Sequence, residues 1–141
     1  MMISTRGRYA LRVMIDLAEN AGDGYIPMKD VAKRQKISLK YLEKILPALA
    51  KNGFIAGVHG KGGGYRLTRK PEEYRIGDIL RLTEGRIVPV ACLDCCSGEC
   101  EHTDICRTRP MWNKLNSIIN DYLDGVTIAD LMNDADMKAN I

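Results

Sequence analysis

No stretch of this 141-residue chain approaches the roughly 20 consecutive apolar residues that a membrane-crossing helix needs. Residues 1–16 also lack the apolar core and small-residue cleavage site of a secretory signal. Together these absences point to a soluble, cytoplasmic protein with no membrane partner. Cysteine is missing everywhere outside positions 92–106, which excludes a disulfide framework spread over the fold. No grouping of His, Ser and carboxylate side chains resembles an acid–base or nucleophilic centre, so an enzyme is not expected. The C-x-x-C-x-x-C-x-x-x-C-P run of a ferredoxin-like electron carrier is absent as well. The glycine-rich run Gly60-Lys61-Gly62-Gly63-Gly64 is no phosphate loop, because Gly62 follows Lys61 where Ser or Thr is required and no helix begins there.

What is present is 45% hydrophobic residues, enough for one compact domain with a small appendage, and an uneven charge. Residues 1–70 hold 14 Lys and Arg against 5 Asp and Glu, whereas residues 71–141 hold 7 against 13. A basic half joined to an acidic half suggests a polyanion-binding module coupled to a part with another task.

The basic half is patterned. Over residues 8–21, Ala10, Met14, Leu17, Ala18 and Ala21 recur at the spacing of a buried helix face, and Gly22-Asp23-Gly24 ends it. Residues 28–36 form a short helix with Val31 and Ala32 inside and Lys29, Lys33, Arg34 and Lys36 outside. Ser38 is placed to cap a third helix, with Leu39, Leu42, Ile45, Leu46 and Leu49 as its apolar stripe and Pro47 expected to kink it. Short helix, turn and helix with a polar outer face make a helix-turn-helix. Strands at residues 54–58 and 65–68, joined by the glycine turn, then make a wing, with Lys61, Arg66, Arg69 and Lys70 supplying charge for phosphate contact.

In the acidic half, residues 76–83 read as a short helix. Five thiols follow within positions 92–106, a density that core packing does not explain. Thiolates are soft ligands that suit iron–sulfur clusters and zinc alike. Beyond them, Pro110 opens a helix whose Met111, Trp112, Leu115, Ile118, Ile119, Tyr122 and Leu123 share one broad face, which suits a dimerisation surface ahead of its alternative, intrachain core packing. A capped segment at 127–133 is expected to pack across its base. The fold class is therefore mainly α with a small β-hairpin wing. Its parts are a winged helix-turn-helix DNA-binding domain (1–85), a cysteine-rich metal-binding loop (86–109), and a dimerisation helix with a C-terminal helix (110–141).

Three strings, Ile3-Ser4-Thr5-Arg6-Gly7-Arg8-Tyr9-Ala10, Ile37-Ser38-Leu39-Lys40-Tyr41-Leu42-Glu43 and Gly62-Gly63-Gly64-Tyr65, closely resemble the Rrf2 family of bacterial winged-helix regulators, over nearly the whole chain. The resemblance implies a homodimer on a palindromic operator in double-stranded DNA. Several members sense iron–sulfur cluster supply, nitric oxide, iron or cysteine availability. It assigns groove contacts to Ser38, Tyr41, Glu43, His59, Gly60 and Lys61. Glu43 can accept from a cytosine amino group, and Lys40 and Lys44 suit phosphate anchoring. Related wings often carry Arg where this chain has His59, and a neutral His weakens a narrow-groove contact or makes it depend on pH.

The spacing of Cys100, Cys106 and Trp112 is similar to that of the last two cluster cysteines and the following Trp in cluster-binding members. The first family cysteine falls near Asp94, so Cys92, approached through Val88-Pro89-Val90 as in relatives, is the preferred third ligand. Arg109 and Arg8 stand where members offer a ligand His or Asp, and neither can bind a cationic iron. The fourth ligand is left to Cys95, Cys96, His102, solvent or a small molecule. An iron–sulfur cluster is the first expectation. A zinc site of Cys92, Cys95, Cys100 and Cys106 is its rival, followed by a metal-free thiol switch and by an iron–sulfur redox protein that does not bind DNA.

Overall fold

The architecture comes from a computed structural model that describes residues 2–94 and 98–133. Helix α1 (Thr5–Glu19) begins ahead of its apolar repeat because Ser4 caps it, the Ser4 hydroxyl accepting the Gly7 N–H at 3.3 Å. Glu84, at the far end of the domain, accepts from the Ser4 backbone N–H at 3.2 Å. Helix α2 (Met28–Gln35) stops at Lys36, which takes the left-handed conformation at φ 54°. Two residues later Ser38 caps α3 (Leu39–Lys51) through the Tyr41 N–H at 3.1 Å. Helix α3 runs through Pro47 without ending, and the missing amide falls at an exposed position.

Leu42, Ile45, Leu46 and Leu49 of α3 are buried as the stripe requires, but Leu39 is 45% exposed. It occupies the first turn, before the helix reaches the core. The strands β1 (Ile55–Val58) and β2 (Gly64–Leu67) pair antiparallel, Ile55 opposite Leu67 and Val58 opposite Gly64. Ile26 adds a rung on the other edge of β2 by exchanging hydrogen bonds of 2.8 and 2.9 Å with Tyr65. That rung explains Gly64, since a Cβ there would fall on the Ile26 carbonyl, and Gly63 is similarly crowded by the Val58 carbonyl.

Helix α4 (Ile76–Glu84) lies on α1, and together with α3 they enclose a core that includes Met14, Leu17, Leu42, Ile45, Leu49, Tyr74 and Ile79. Helices α5 (Arg109–Gly125) and α6 (Ile128–Met132) follow. Contrary to expectation, α6 packs chiefly on α1 and on the 3-10 turn at Pro71–Glu73. Two backbone bonds turn it there, Ile76 N–H to Val126 O at 2.9 Å and Ile128 N–H to Tyr74 O at 3.0 Å, and Ile128 is fully buried.

Helix α5 is attached to α4 by a polar joint. Arg81 grips Asp124 with both guanidinium nitrogens, at 2.8 and 3.0 Å, and donates to Asn120 Oδ1 at 2.9 Å. Asn120 in turn donates to the carbonyl of Ile87 at 3.1 Å. A Cβ at Gly77 would strike the Asp124 carboxylate, so the joint also needs the bare α4 backbone. Hydrogen bonding from Arg81 holds the Asp124 carboxyl below its ordinary range, reinforced by the Arg81 and Arg75 charges and opposed by partial burial.

A depressed carboxyl contributes stability above its unfolded-state value and loses it as pH falls through the folded value. Asp124→Asn is therefore expected to lower the urea midpoint at neutral pH. The loss should be about 1 kcal/mol or less, because both side chains are about one-third exposed. The gap between the two proteins should close as pH drops through the acid range, and a gap independent of pH would contradict the assignment.

Candidate DNA interface and thiol site

The exposed side of α3 carries Lys40, Glu43 and Lys44, with Ser38 exposed at its start. The Ser38 hydroxyl is already engaged as the cap, which leaves its proton available to donate outward. Tyr41 departs from the expected outward face. It is half-buried, and its ring meets the edge of Tyr9 at 5.2 Å and 73°. The Arg12 guanidinium lies 5.2 Å over that Tyr9 ring and donates to Gln35. Tyr9 and Arg12 of α1 thus border the α3 surface, which periodicity could not reveal because they are far from α3 in sequence.

The wing tip exposes His59, Gly60 and Lys61, and Gly60 and Gly62 take positive φ of 94° and 78°. A side chain at either position would strain the turn, which is what lets the backbone come close to another surface. Arg66 and Arg69, expected to supply charge for phosphate contact, are exposed and lie over rings, Arg66 at 4.7 Å over Tyr25 and Arg69 at 5.2 Å over Phe54. Lys61 and Lys70 remain exposed cations beside them.

Three of the five cysteines, Cys92, Cys100 and Cys106, lie among the described residues. Cys92 lies in a 3-10 turn, Ala91–Leu93, and is half-buried, as are Cys100 and Cys106. Cys92 and Cys100 line one cavity of about 1010 Å³, walled also by Arg86, Arg109, Asn113 and Asn116. The Asn pair was not foreseen. Their i, i+3 spacing on the polar side of α5 is the signal that could have found them. Thr103 donates to the Cys100 carbonyl at 2.7 Å and accepts from Arg109 at 2.8 Å, which ties the thiol segment to the start of α5.

Cys106 is beside the cavity rather than in its lining, at the foot of α5. Its sulfur shares a 3.3 Å hydrogen bond with Thr108 Oγ1. That hydroxyl lowers the thiol's pKa, helped by the Thr108 and Arg109 amides and the Arg109 charge, with slight desolvation opposing. His102 is exposed and lines no part of the cavity. Cys95 and Cys96, expected as substitute ligands, lie outside the described residues. Among the described residues no three His, Cys, Asp or Glu side chains are gathered closely enough to hold a metal ion. The donor chemistry fits a thiolate-bound group, while a closed ligand set is not preformed among them. Arg109 does face the cavity, at the position where sequence comparison sought a ligand, and its charge excludes it from that role.

A profile of the Rrf2 family, described as an iron-dependent transcriptional regulator, matches residues 3–134. The transcriptional regulator IscR of Aliivibrio salmonicida is 36% identical over 138 residues, covering 98% of this chain and 81% of that protein. Among solved structures, T. potens IscR is 36% identical, with a TM-score of 0.76 over 96% of this chain and 88% of its own. The structure of CymR, the global cysteine regulator of B. subtilis, is 34% identical, with a TM-score of 0.79 over 94% of this chain and 97% of its own. These proteins are transcriptional regulators and not enzymes, and the two solved structures share this chain's mainly helical fold with a hairpin wing. No helix among the described residues is long and apolar enough to cross a membrane. This chain belongs to the Rrf2 family of winged-helix transcriptional regulators.

Proposed function

We propose that this regulator binds a palindromic operator as a cytoplasmic homodimer and that an iron–sulfur cluster held by Cys92, Cys100 and Cys106 controls the binding. The observation that carries the reading is the shared wall. The cavity lined by Cys92 and Cys100 is closed on one side by Asn113 and Asn116 of α5, the helix whose other side is apolar and uncovered. Whatever orders the thiol segment therefore orders the helix that joins two copies.

In each half-site, Glu43 and Ser38 read base edges from the start of α3, and Lys40 and Lys44 hold phosphates. His59, Gly60 and Lys61 meet the neighbouring groove, where the bare backbone of Gly60 permits close approach. Tyr41, held by Tyr9, offers a rigid contact. Affinity for operator DNA is expected to fall steeply between low and physiological salt. Lys61→Ala should weaken binding to all sequences alike and reduce the salt slope by about one. A flat salt response in gel-shift titrations would contradict DNA binding through this basic face.

The second copy is argued from α5 itself. None of its residues is buried within the chain, and Met111, Ile118 and Tyr122 are 53%, 52% and 60% exposed. A helix of this kind is marginal unless a partner covers it, and a twofold axis brings the same stripe from another copy. Ile118→Asp is expected to shift the protein from dimer to monomer in sedimentation at micromolar concentration and to weaken operator binding together with it. A dimer unaffected by this change would place the interface elsewhere.

A bound cluster supplies iron that takes soft thiolates and responds to redox state and nitric oxide. The chain's own contribution is the placement of the thiols. The Ala91–Leu93 turn presents Cys92, Thr103 fixes the Cys100 carbonyl, and Thr108 stabilises the thiolate of Cys106. The fourth ligand is left to Cys95, Cys96, His102, solvent or a small molecule, since Arg109 cannot serve. Protein purified without oxygen should contain iron and acid-labile sulfide, and Cys106→Ala should abolish the difference in operator affinity between loaded and unloaded protein. Zinc in place of iron and sulfide would replace this reading with the four-thiolate zinc site.

A further inference from the structure

Tyr74 is fully buried, and its phenol oxygen is shared among four groups. It donates to the Phe54 carbonyl at 2.7 Å, accepts from the backbone N–H groups of Thr68 and Arg69, each at 3.0 Å, and lies 3.3 Å from Thr68 Oγ1. Thr68 Oγ1 in turn donates to the Gly53 carbonyl at 2.6 Å. Phe54 is the residue before β1, and Thr68 and Arg69 are the residues after β2. One oxygen thus clamps both roots of the wing beyond the last rung of its ladder. The backbone of the same residue faces the other way. Its carbonyl accepts from Ile128, and its neighbour Arg75 bridges Thr127, at the segment that ends α5.

A two-stranded hairpin of four-residue strands is marginal alone and takes its direction from its roots. Of the eight wing-strand residues only Ile55 is buried; β2 is further supported by the partly buried Tyr65 and Leu67 and by the Ile26 bridge, whereas β1 beyond Ile55 is held only through its ladder and its root. From root to tip the four-residue strand spans about 14 Å at roughly 3.4 Å per residue. A tilt of about 10° at the root moves the tip by about 2–3 Å, which takes a contact out of the 2.7–3.2 Å range of a normal hydrogen bond. Arg69 adds to the clamp by lying over the Phe54 and Tyr74 rings, at 5.2 and 5.6 Å.

We infer that Tyr74 is the positioning residue of the wing, its hydroxyl setting the angle at which His59 and Lys61 meet DNA. The inference rests on the reading that the wing contacts DNA. Tyr74→Phe keeps the ring in its buried site and deletes only the clamp. In the full chain it is expected to lower operator affinity about tenfold and to weaken hydroxyl-radical protection only at the groove next to the α3 contact. The deciding measurement is a cycle with Lys61→Ala. Once the tip contact is gone, Tyr74→Phe should cost less than about twofold more. If the two losses multiply in full, or if Tyr74→Phe leaves affinity within twofold while Lys61→Ala weakens it, Tyr74 does not position the wing. If Lys61→Ala and His59→Ala both leave affinity and footprint unchanged, the wing reading itself fails and takes the inference with it. Should Tyr74→Phe not fold, Thr68→Ala removes the exposed half of the clamp and must show the same non-additivity with Lys61→Ala.

Discussion

The carboxylate of Asp16 is 1% exposed, and a charge so buried is tolerable only if nearly every lone pair is met. It is met by Arg34 through Nε at 3.1 Å and Nη2 at 2.7 Å and by the Gln35 amide at 2.9 Å. All of these partners come from the last turn of α2, so α2 can take only one position on α1. Lys36 then turns the chain in its left-handed conformation and Ser38 starts α3, so the position of the α3 surface descends from that one carboxylate. Because the ion pair is sheltered on the acid's side only, losing Arg34 would strand a buried charge, whereas losing Asp16 would leave a part-exposed Arg34 to solvent. Losing both together would be far milder.

The second fixed point is polar as well, but it is wet. Arg81 joins α4 to α5 through Asp124 and Asn120, and Asn120 donates both to Ile87 and, at 3.1 Å, to the Asn116 side chain that lines the thiol cavity. A continuous line of hydrogen bonds thus leads from the cavity wall to α4, which lies on α1. Half-exposed joints of this kind are weak individually and can rearrange at low cost, whereas the Asp16 contact cannot. The molecule therefore has a stiff link at the base of α3 and a more compliant one between α4 and the wall of the thiol cavity.

Much of this was readable from the chain, for reasons that differ by element. The α3 stripe, the Ser38 cap and the glycine wing are local patterns, and each formed within a residue or two of its expected bounds. Leu39 failed because periodicity does not say where a helix first meets the core. Tyr41 is half-buried where periodicity left it outward, because its ring partner, Tyr9, belongs to another helix. Arg66 and Arg69 read as cations for phosphate, and their places over Tyr25 and Phe54 come from the fold. Asp16 and Tyr74 carried no visible signal at all. A single acid in an apolar face and a single tyrosine between two turns become important only through partners that the fold brings from elsewhere. The density of thiols in the cysteine segment is visible in the chain, whereas their arrangement, Cys92 and Cys100 on one cavity and Cys106 beside it, depends on the fold.

The light packing of the stretch that holds the thiols has a thermodynamic consequence. Among the described residues, burial stops at Ile87 and resumes at Ile128, so the whole stretch from Val88 to Thr127 contains no buried side chain. Intrachain packing holds this segment only in part, through Ile119, Leu123 and Val126 against the core and the Arg81 joint, which leaves stability to be gained from whatever covers the rest. A partner helix on one side of α5 and a thiolate-bound group on the other would each stabilise the same helix. Whatever binds the ordered form adds stability in proportion to its own affinity and concentration. The two events are then linked through α5 without any direct contact between them, since the helix ordered by one is offered to the other at lower entropic cost. A sensor built this way needs no moving part inside the winged helix. It needs only a helix that is never fully held by its own chain.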